Sequence, residues 1–432
     1  MRDSRSSSRL IAQQTVWLGA TSGAQLVGGV AYVVVATRVL GAEGFGALAV
    51  IMATCGLIHS IIAIPGGDTV TTFASRSLVE GKPDEAAALI RFAMAASAAL
   101  SLLALGCIGL VAMLASDIVL IGDTPASVLI LYATVGVFLA PNSTALGTLR
   151  LADQLRASFL VCCADNVVRV AILGVAWASG GGMIAVVSAS VAGAAVNGAG
   201  MLIATALLAP RAGIMNLLDS PTIRIPRDVM RFHFTMLGRT TAGTLAHNVD
   251  SILLAQFVGA ADVGFYRGAR HLVDLCRQPL NLIGVAAQPV LSRLWFDGQG
   301  RRFRETVARF TVLSVIVALV GFGVLTWLRE EIVMIVLGVD FAAVAPLILL
   351  LLPGALVSVF TVPGTLPIAV GRPLPALVSS VSGLFALVIA VWLLVPTYGV
   401  AGGAFARNAV LVVSFAVLVP VIAATLRESK RI

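Results

Sequence analysis

The chain has 432 residues, of which 59% are hydrophobic and only 12% charged, with a net charge of +8. Soluble domains carry about 25% charged residues, so a water-soluble fold is excluded and an all-α polytopic membrane protein is expected. Nearly all the basic residues are Arg, with Lys82 and Lys430 the only lysines. Most of them lie in short loops between apolar segments, which marks them as topology determinants and speaks against a nucleic-acid surface.

The polar N-terminus, MRDSRSSSRL, is followed by no small-residue cleavage site after a short apolar core, so no cleaved signal peptide is expected. Twelve apolar segments of spanning length follow, at 14–37, 47–73, 88–115, 125–148, 157–179, 183–209, 231–256, 263–291, 306–328, 341–366, 374–396 and 399–425. Pro65, Pro279, Pro289 and Pro353 fall inside spans, where membrane helices tolerate such breaks. Cys55, Cys107, Cys162, Cys163 and Cys276 all sit in apolar segments with no zinc-type spacing and read as small buried residues. No cofactor is expected.

An even number of spans puts both termini on one side, and the loops of that side hold 20 of the 29 basic residues. The positive-inside rule makes that side cytoplasmic. The longest polar connection, 210–230, follows the sixth span, so residues 1–209 and 231–432 are expected to form two six-helix lobes joined by a cytoplasmic linker. A repeat supports the midpoint. At an offset of 218, RVLGAEGFGAL (38–48) lies over QFVGAADVGFY (256–266), matching Gly41, Ala42 and Gly46 with Gly259, Ala260 and Gly264. Parallel six-span repeats are an architecture of secondary transporters, whose cargo sites lie near mid-membrane at the repeat interface.

Span eight is the anomaly. Arg267, Arg270, His271, Asp274, Arg277 and Asn281 share about 120° of one helix face. Each Arg at bilayer depth costs about 2.5–3.5 kcal/mol to insert, so such residues face a bundle interior or a wet cavity. Arg169, Arg239 and Arg407 lie about 12–18 Å from the ends of spans five, seven and twelve, and Arg277 about 20 Å from the outer end of span eight. Against these stand Asp165, one turn before Arg169, Asp274, one turn after Arg270, and Asp250. The six arginines Arg169, Arg239, Arg267, Arg270, Arg277 and Arg407 outnumber the three aspartates, and guanidinium is suited to gripping phosphate. Arg277, the deepest and least paired, is the first expectation for cargo contact. Packing alternatives stand beside this reading: an Asp165–Arg169 pair that fixes two helices, and interhelical hydrogen bonding by Arg407 with Asn408. Asp165, Asp250, Asp274 and His271 are candidate proton or sodium sites.

ATRVLGAEGFGALAVIMA (36–53), NVDSILLAQFVGAADVGFYRGARHLVD (248–274), FDGQGRRFRE (296–305) and AVGRPLPALVSSVSGLFALVIAVWLLVPTYGVAGGAFA (369–406) occur in an order and spacing that resemble the polysaccharide and O-antigen flippases of the multidrug/oligosaccharidyl-lipid/polysaccharide (MOP) exporter superfamily. The resemblance implies a non-enzymatic flippase of the bacterial inner membrane. It would carry a polyprenyl-diphosphate-linked oligosaccharide from the cytoplasmic to the periplasmic leaflet by alternating access, for O-antigen, capsule or exopolysaccharide synthesis. It implies as partners the lipid-linked oligosaccharide, membrane lipids, a polysaccharide polymerase and a chain-length regulator, and no nucleic acid. It also implies a basic central cavity, carried here by Arg239, Arg267, Arg270, Arg277 and Arg407. Two alternatives stay open. A peptidoglycan-precursor flippase handles the same diphosphate chemistry but usually has two more spans. A cation-coupled multidrug exporter of the same superfamily needs an acidic cavity, whereas span one here has no Asp or Glu.

Overall fold

The computed structural model describes residues 4–62, 66–67, 70–114, 124–214, 241, 244–245, 248–372 and 374–430. Among them the chain is all helix. The helices are α1 (Ser4–Ile62), α2 (Ser75–Val79), α3 (Pro83–Leu114), α4 (Ala126–Leu139), α5 (Asn142–Leu151), α6 (Leu155–Ala178) and α7 (Met183–Leu208), then α8 (Ala260–Phe296), α9 (Gly300–Trp327), α10 (Arg329–Val336), α11 (Val344–Leu356), α12 (Thr361–Ala369), α13 (Leu374–Tyr398) and α14 (Val400–Glu428). The near absence of charge leaves intrahelical bonding as the way to satisfy backbone groups in hydrocarbon.

Nine helical stretches among the described residues are long and apolar enough to cross a membrane. One of them, Val16–Ile62, has 47 residues and would run about 70 Å as a straight helix, more than twice the bilayer core. It breaks at Gly41, whose φ of 64° and ψ of −172° suit a residue without Cβ. Two spans therefore meet there without a loop. α8 falls outside the nine because of its charges, yet its 37 residues extend about 55 Å. With α1 counted twice and α8 added, eleven of the twelve expected spans are accounted for. The remaining one, 231–256, lies largely outside the described residues.

The chain divides into two compact units, one of Met1–Leu40 with Thr54–Thr241 and one of Gly41–Ala53 with Ala242–Ile432. This differs from the expected halves by the segment 41–53, which packs with the second unit. The expected linker 210–230 lies outside the described residues beyond Ile214.

The repeat seen in the sequence explains that placement. A Cβ on Gly46 would lie 1.8 Å from the Ala260 carbonyl oxygen, and one on Gly264 would lie 2.2 Å from the Ala42 carbonyl oxygen. Residue 42 is thus to 264 as 260 is to 46, the reciprocity that a local two-fold axis between equivalent segments produces. Only glycine at both positions lets the two backbones touch. Phe341, fully buried, is flanked edge-on by Phe45 and Phe265, each with ring centroids 5.9 Å away.

Candidate functional site

In the second unit, α8 carries Arg267, Arg270, Asp274 and Arg277 at spacings of three, four and three residues, so they form one ridge. The helical turn 248–254 supplies Asp250 and Ser251, and α14 supplies Arg407. Asp250 is the hub. Its Oδ2 accepts hydrogen bonds from Arg270 and, at 2.8 Å, from the Tyr266 hydroxyl. Its Oδ1 accepts from the Ser251 backbone N–H at 2.7 Å. Asp250 and Arg270 are almost sealed from solvent, with side-chain exposures of 2% and 3%. Arg407 and Arg267 add to the positive field at Asp250.

A second pair lies further along the ridge. Asp274 accepts from Arg270 Nε at 3.4 Å through one oxygen and from Arg277 Nη1 at 2.8 Å through the other. Arg277 Nε also donates to the Ser358 hydroxyl at 2.7 Å, in the tight turn Val357–Phe360 between α11 and α12. This pair is more open, with 17% of the Arg277 side chain and 27% of Asp274 exposed. The sequence-based expectation that Arg277 is the least paired arginine is therefore corrected. The i,i+3 neighbour Asp274 reaches it better than it reaches Arg270. Arg267 has no carboxylate within ion-pair distance among the described residues, and it donates to the neutral Ser251 hydroxyl at 3.3 Å.

Among the described residues, the four guanidinium groups of Arg267, Arg270, Arg277 and Arg407 thus lie around two carboxylates, Asp250 and Asp274. The sealed Asp250–Arg270 pair holds the turn 248–254 to α8 and is scaffold. The more open Arg277 and the carboxylate-free Arg267 can offer N–H forks to an incoming anion. His271 lies beside them, and its Nε2 is buried without a hydrogen-bond partner.

Asn408 makes hydrogen bonds between helices, as weighed from sequence, and they run to α11. Its amide Nδ2 donates to the Leu350 carbonyl at 2.6 Å, and its Oδ1 accepts from Gly354 N–H at 3.0 Å. Those two backbone groups would normally bond each other within α11. The Asn408 amide is inserted into the helix ladder beside Pro353 and satisfies both ends of the break. Consecutive residues of α14 therefore serve the charge cluster and the break in α11.

Arg169 and Asp165 belong to the first unit and form a network of their own. Arg169 Nη2 donates to Asp165 Oδ1 at 2.9 Å, and Asn197 Nδ2 donates to Asp165 Oδ2 at 2.9 Å. Asn142 Nδ2 donates to Asn197 Oδ1 at 2.7 Å, and the Arg169 guanidinium sits 5.8 Å from the centre of the Tyr32 ring. Both oxygens of Asp165 are engaged, as the i,i+4 spacing predicted for one of them. A cavity of about 310 Å³ lies alongside, lined by Thr21, Gln25, Asn142, Arg150 and Asn197 among others. Arg239 lies outside the described residues. Tyr266, Ser251 and Ser358 were not singled out from sequence. Tyr266 alone had a local signal, since it stands one turn before Arg270.

The fold of this helical membrane protein is that of solved transporters of the MOP superfamily. The fold matches an inward-facing MATE family transporter of that superfamily at 12% identity and a TM-score of 0.80, over 94% of this chain and 96% of that one. It matches a MOP superfamily transporter from Pyrococcus furiosus, described as having a binding pocket of reversed polarity, at 13% identity and a TM-score of 0.65, over 96% of each chain. It also matches the eukaryotic MATE transporter AtDTX14 at 10% identity and a TM-score of 0.60, over 98% of this chain and 99% of that one. Identities this low establish the fold alone. No curated protein matches the chain. Residues 11–295 match the family described as polysaccharide biosynthesis protein, and the chain belongs to that family.

Proposed function

We propose that this multi-pass membrane protein is a flippase for a polyprenyl-diphosphate-linked oligosaccharide. It moves the glycolipid from the cytoplasmic to the periplasmic leaflet of the inner membrane by alternating access, with both termini cytoplasmic and no covalent chemistry. The observation that carries the reading is the arginine ridge of α8, whose three guanidinium groups outnumber the two carboxylates beside them among the described residues. Such a surplus is stable only beside water or an anion, and membership of a polysaccharide biosynthesis family supports a glycan-bearing anion as that cargo. Arg267 and Arg277 take the diphosphate, while Arg270 and Arg407 hold the field and the packing around Asp250.

Coupling to a proton or sodium ion remains part of the proposal. Asp165, Asp250 and Asp274 all have both carboxylate oxygens engaged, but Asp274 is the most exposed of the three, so Asp274 and His271 are the better placed for exchange. The MATE relatives in fold favour a second reading, export of a cationic drug. The cluster argues against it, because a cation would meet four guanidinium groups. The test is reconstitution in liposomes with a fluorescent polyprenyl-diphosphate oligosaccharide in one arm and a cationic dye in the other. Leaflet crossing of the glycolipid alone supports the proposal. Dye transport without glycolipid transport overturns it.

A further inference from the structure

The first unit contains a cavity of about 820 Å³ that the arginine ridge does not involve. Its walls come from α3, α4 and α7. Among the described residues Arg91 is the single charged one lining it, and the rest of that lining is small or apolar, including Met94, Ala98, Phe138, Ala199 and Leu202. The concavity has a local cause. A Cβ on Gly198 would lie 2.0 Å from the Phe138 carbonyl oxygen, so α7 is drawn against α4 at that point. Alanines on α3 and α7 leave the space beside this contact unfilled.

The direction of the groove follows from the packing at its polar end. Ala209 lies just beyond the end of α7 and packs in one cluster with Ala86, Ala87 and Ile90, just before Arg91. Arg91 and Ala206 therefore mark the same end. From Ala206 back to Ala195 is eleven residues of α7, about 16 Å at 1.5 Å per residue. That is close to half of a hydrocarbon core about 30 Å thick. The groove thus has the length of one leaflet, is apolar along its course, and carries a guanidinium where a headgroup phosphate would sit. Exposed Arg211 stands near the same end of the unit and adds to its positive field, while Lys82 there is paired with Glu80 and Glu85.

We propose that this groove binds one anionic phospholipid of the cytoplasmic leaflet, with an acyl chain along α3 and α7 and its phosphate at Arg91. A polyprenyl chain is a poorer occupant, because it is longer than a one-leaflet groove can cover.

The full-length protein in detergent, titrated with equimolar phosphatidylglycerol and phosphatidylcholine of identical chains and followed by native mass spectrometry, tests this. One basic residue near the surface contributes about 1 kcal/mol toward an anionic lipid, so a preference of about fivefold for phosphatidylglycerol is expected. Arg91→Gln should abolish the preference while some lipid of both kinds stays bound. Ala98→Trp with Ala199→Trp, both at exposed positions, should fill the groove and remove the tightly held lipid. Polyprenyl phosphate at equal concentration should not displace phosphatidylglycerol. Equal retention of the two lipids by the wild type, an unchanged preference in Arg91→Gln, or displacement by polyprenyl phosphate overturns the assignment. If the tryptophan pair fails to fold, the Arg91→Gln comparison still decides.

Discussion

Removing either member of the Asp250–Arg270 pair should have unequal consequences, and the geometry says which is worse. Both side chains are 3% exposed or less, so breaking the pair leaves a charge where water cannot reach it, a loss of about 3–5 kcal/mol. In Arg270→Met the stranded Asp250 keeps the Tyr266 hydroxyl, the Ser251 N–H and the fields of Arg407 and Arg267. Its cost should fall at the lower end of that range. In Asp250→Asn, four arginines face the single carboxylate of Asp274, and Arg270 and Arg407, which already repel one another, lose the group between them. That variant should reach the upper end. Asp250→Asn with Arg270→Met should recover at least half of the larger loss, because each change removes the charge that the other strands. The assay is reversible unfolding in mixed micelles, with the double-mutant cycle read as a coupling energy. A coupling below about 0.5 kcal/mol, within the scatter of independent sites, would show that the pair is not the structural hub described here.

Three further outcomes are expected. Arg267→Ala should leave unfolding within about 0.5 kcal/mol of wild type, since Arg267 forms no ion pair with a carboxylate among the described residues, and yet lower glycolipid transport; a variant that transports normally removes Arg267 from the anion site. Asn408→Ala should cost about 1–3 kcal/mol in the same unfolding assay by orphaning the Leu350 carbonyl and Gly354 N–H, and an unaltered unfolding curve would mean the break in α11 heals by itself. Gly46→Val drives a side chain into the Ala260 carbonyl and should destabilise by about 1–3 kcal/mol or more. Gly29→Ala, with open space around it, should be neutral or mildly stabilising by about 1 kcal/mol. Equal behaviour of these two variants would remove the close helix contact at Gly46.

Much of this was legible because membrane helices declare themselves. Span limits follow from apolar length, and the i,i+4 pairs Asp165–Arg169 and Arg270–Asp274 follow from helix geometry alone. What sequence could not give was the partner across space. Asp250 reaches Arg270 from 20 residues away, so the arginine that looked half-free is the sealed one. Arg277 looked unpaired because i,i+3 reach to Asp274 was discounted against the i,i+4 alternative. Asn408 was legible as a residue for hydrogen bonding between helices, but its targets were not, two backbone groups 58 and 54 residues away. The Gly-Ala repeat at offset 218 was visible as a pattern, but its meaning was not. The two copies touch each other, and that contact seats 41–53 in the second unit.

The central claim is that surplus guanidinium charge on α8 takes the diphosphate of a lipid-linked glycan. The most direct measurement is the initial rate of leaflet crossing of a polyprenyl-diphosphate oligosaccharide in proteoliposomes containing the Arg267→Ala, Arg277→Ala double variant. Insertion and unfolding of the variant are checked in parallel. The expected result is a correctly inserted protein whose rate falls to that of empty liposomes, with Arg267→Lys, Arg277→Lys restoring only part of it, because a lysine keeps the charge but not the planar donor fork. A double alanine variant that flips the glycolipid at the wild-type rate would contradict the claim and leave the ridge as a packing device.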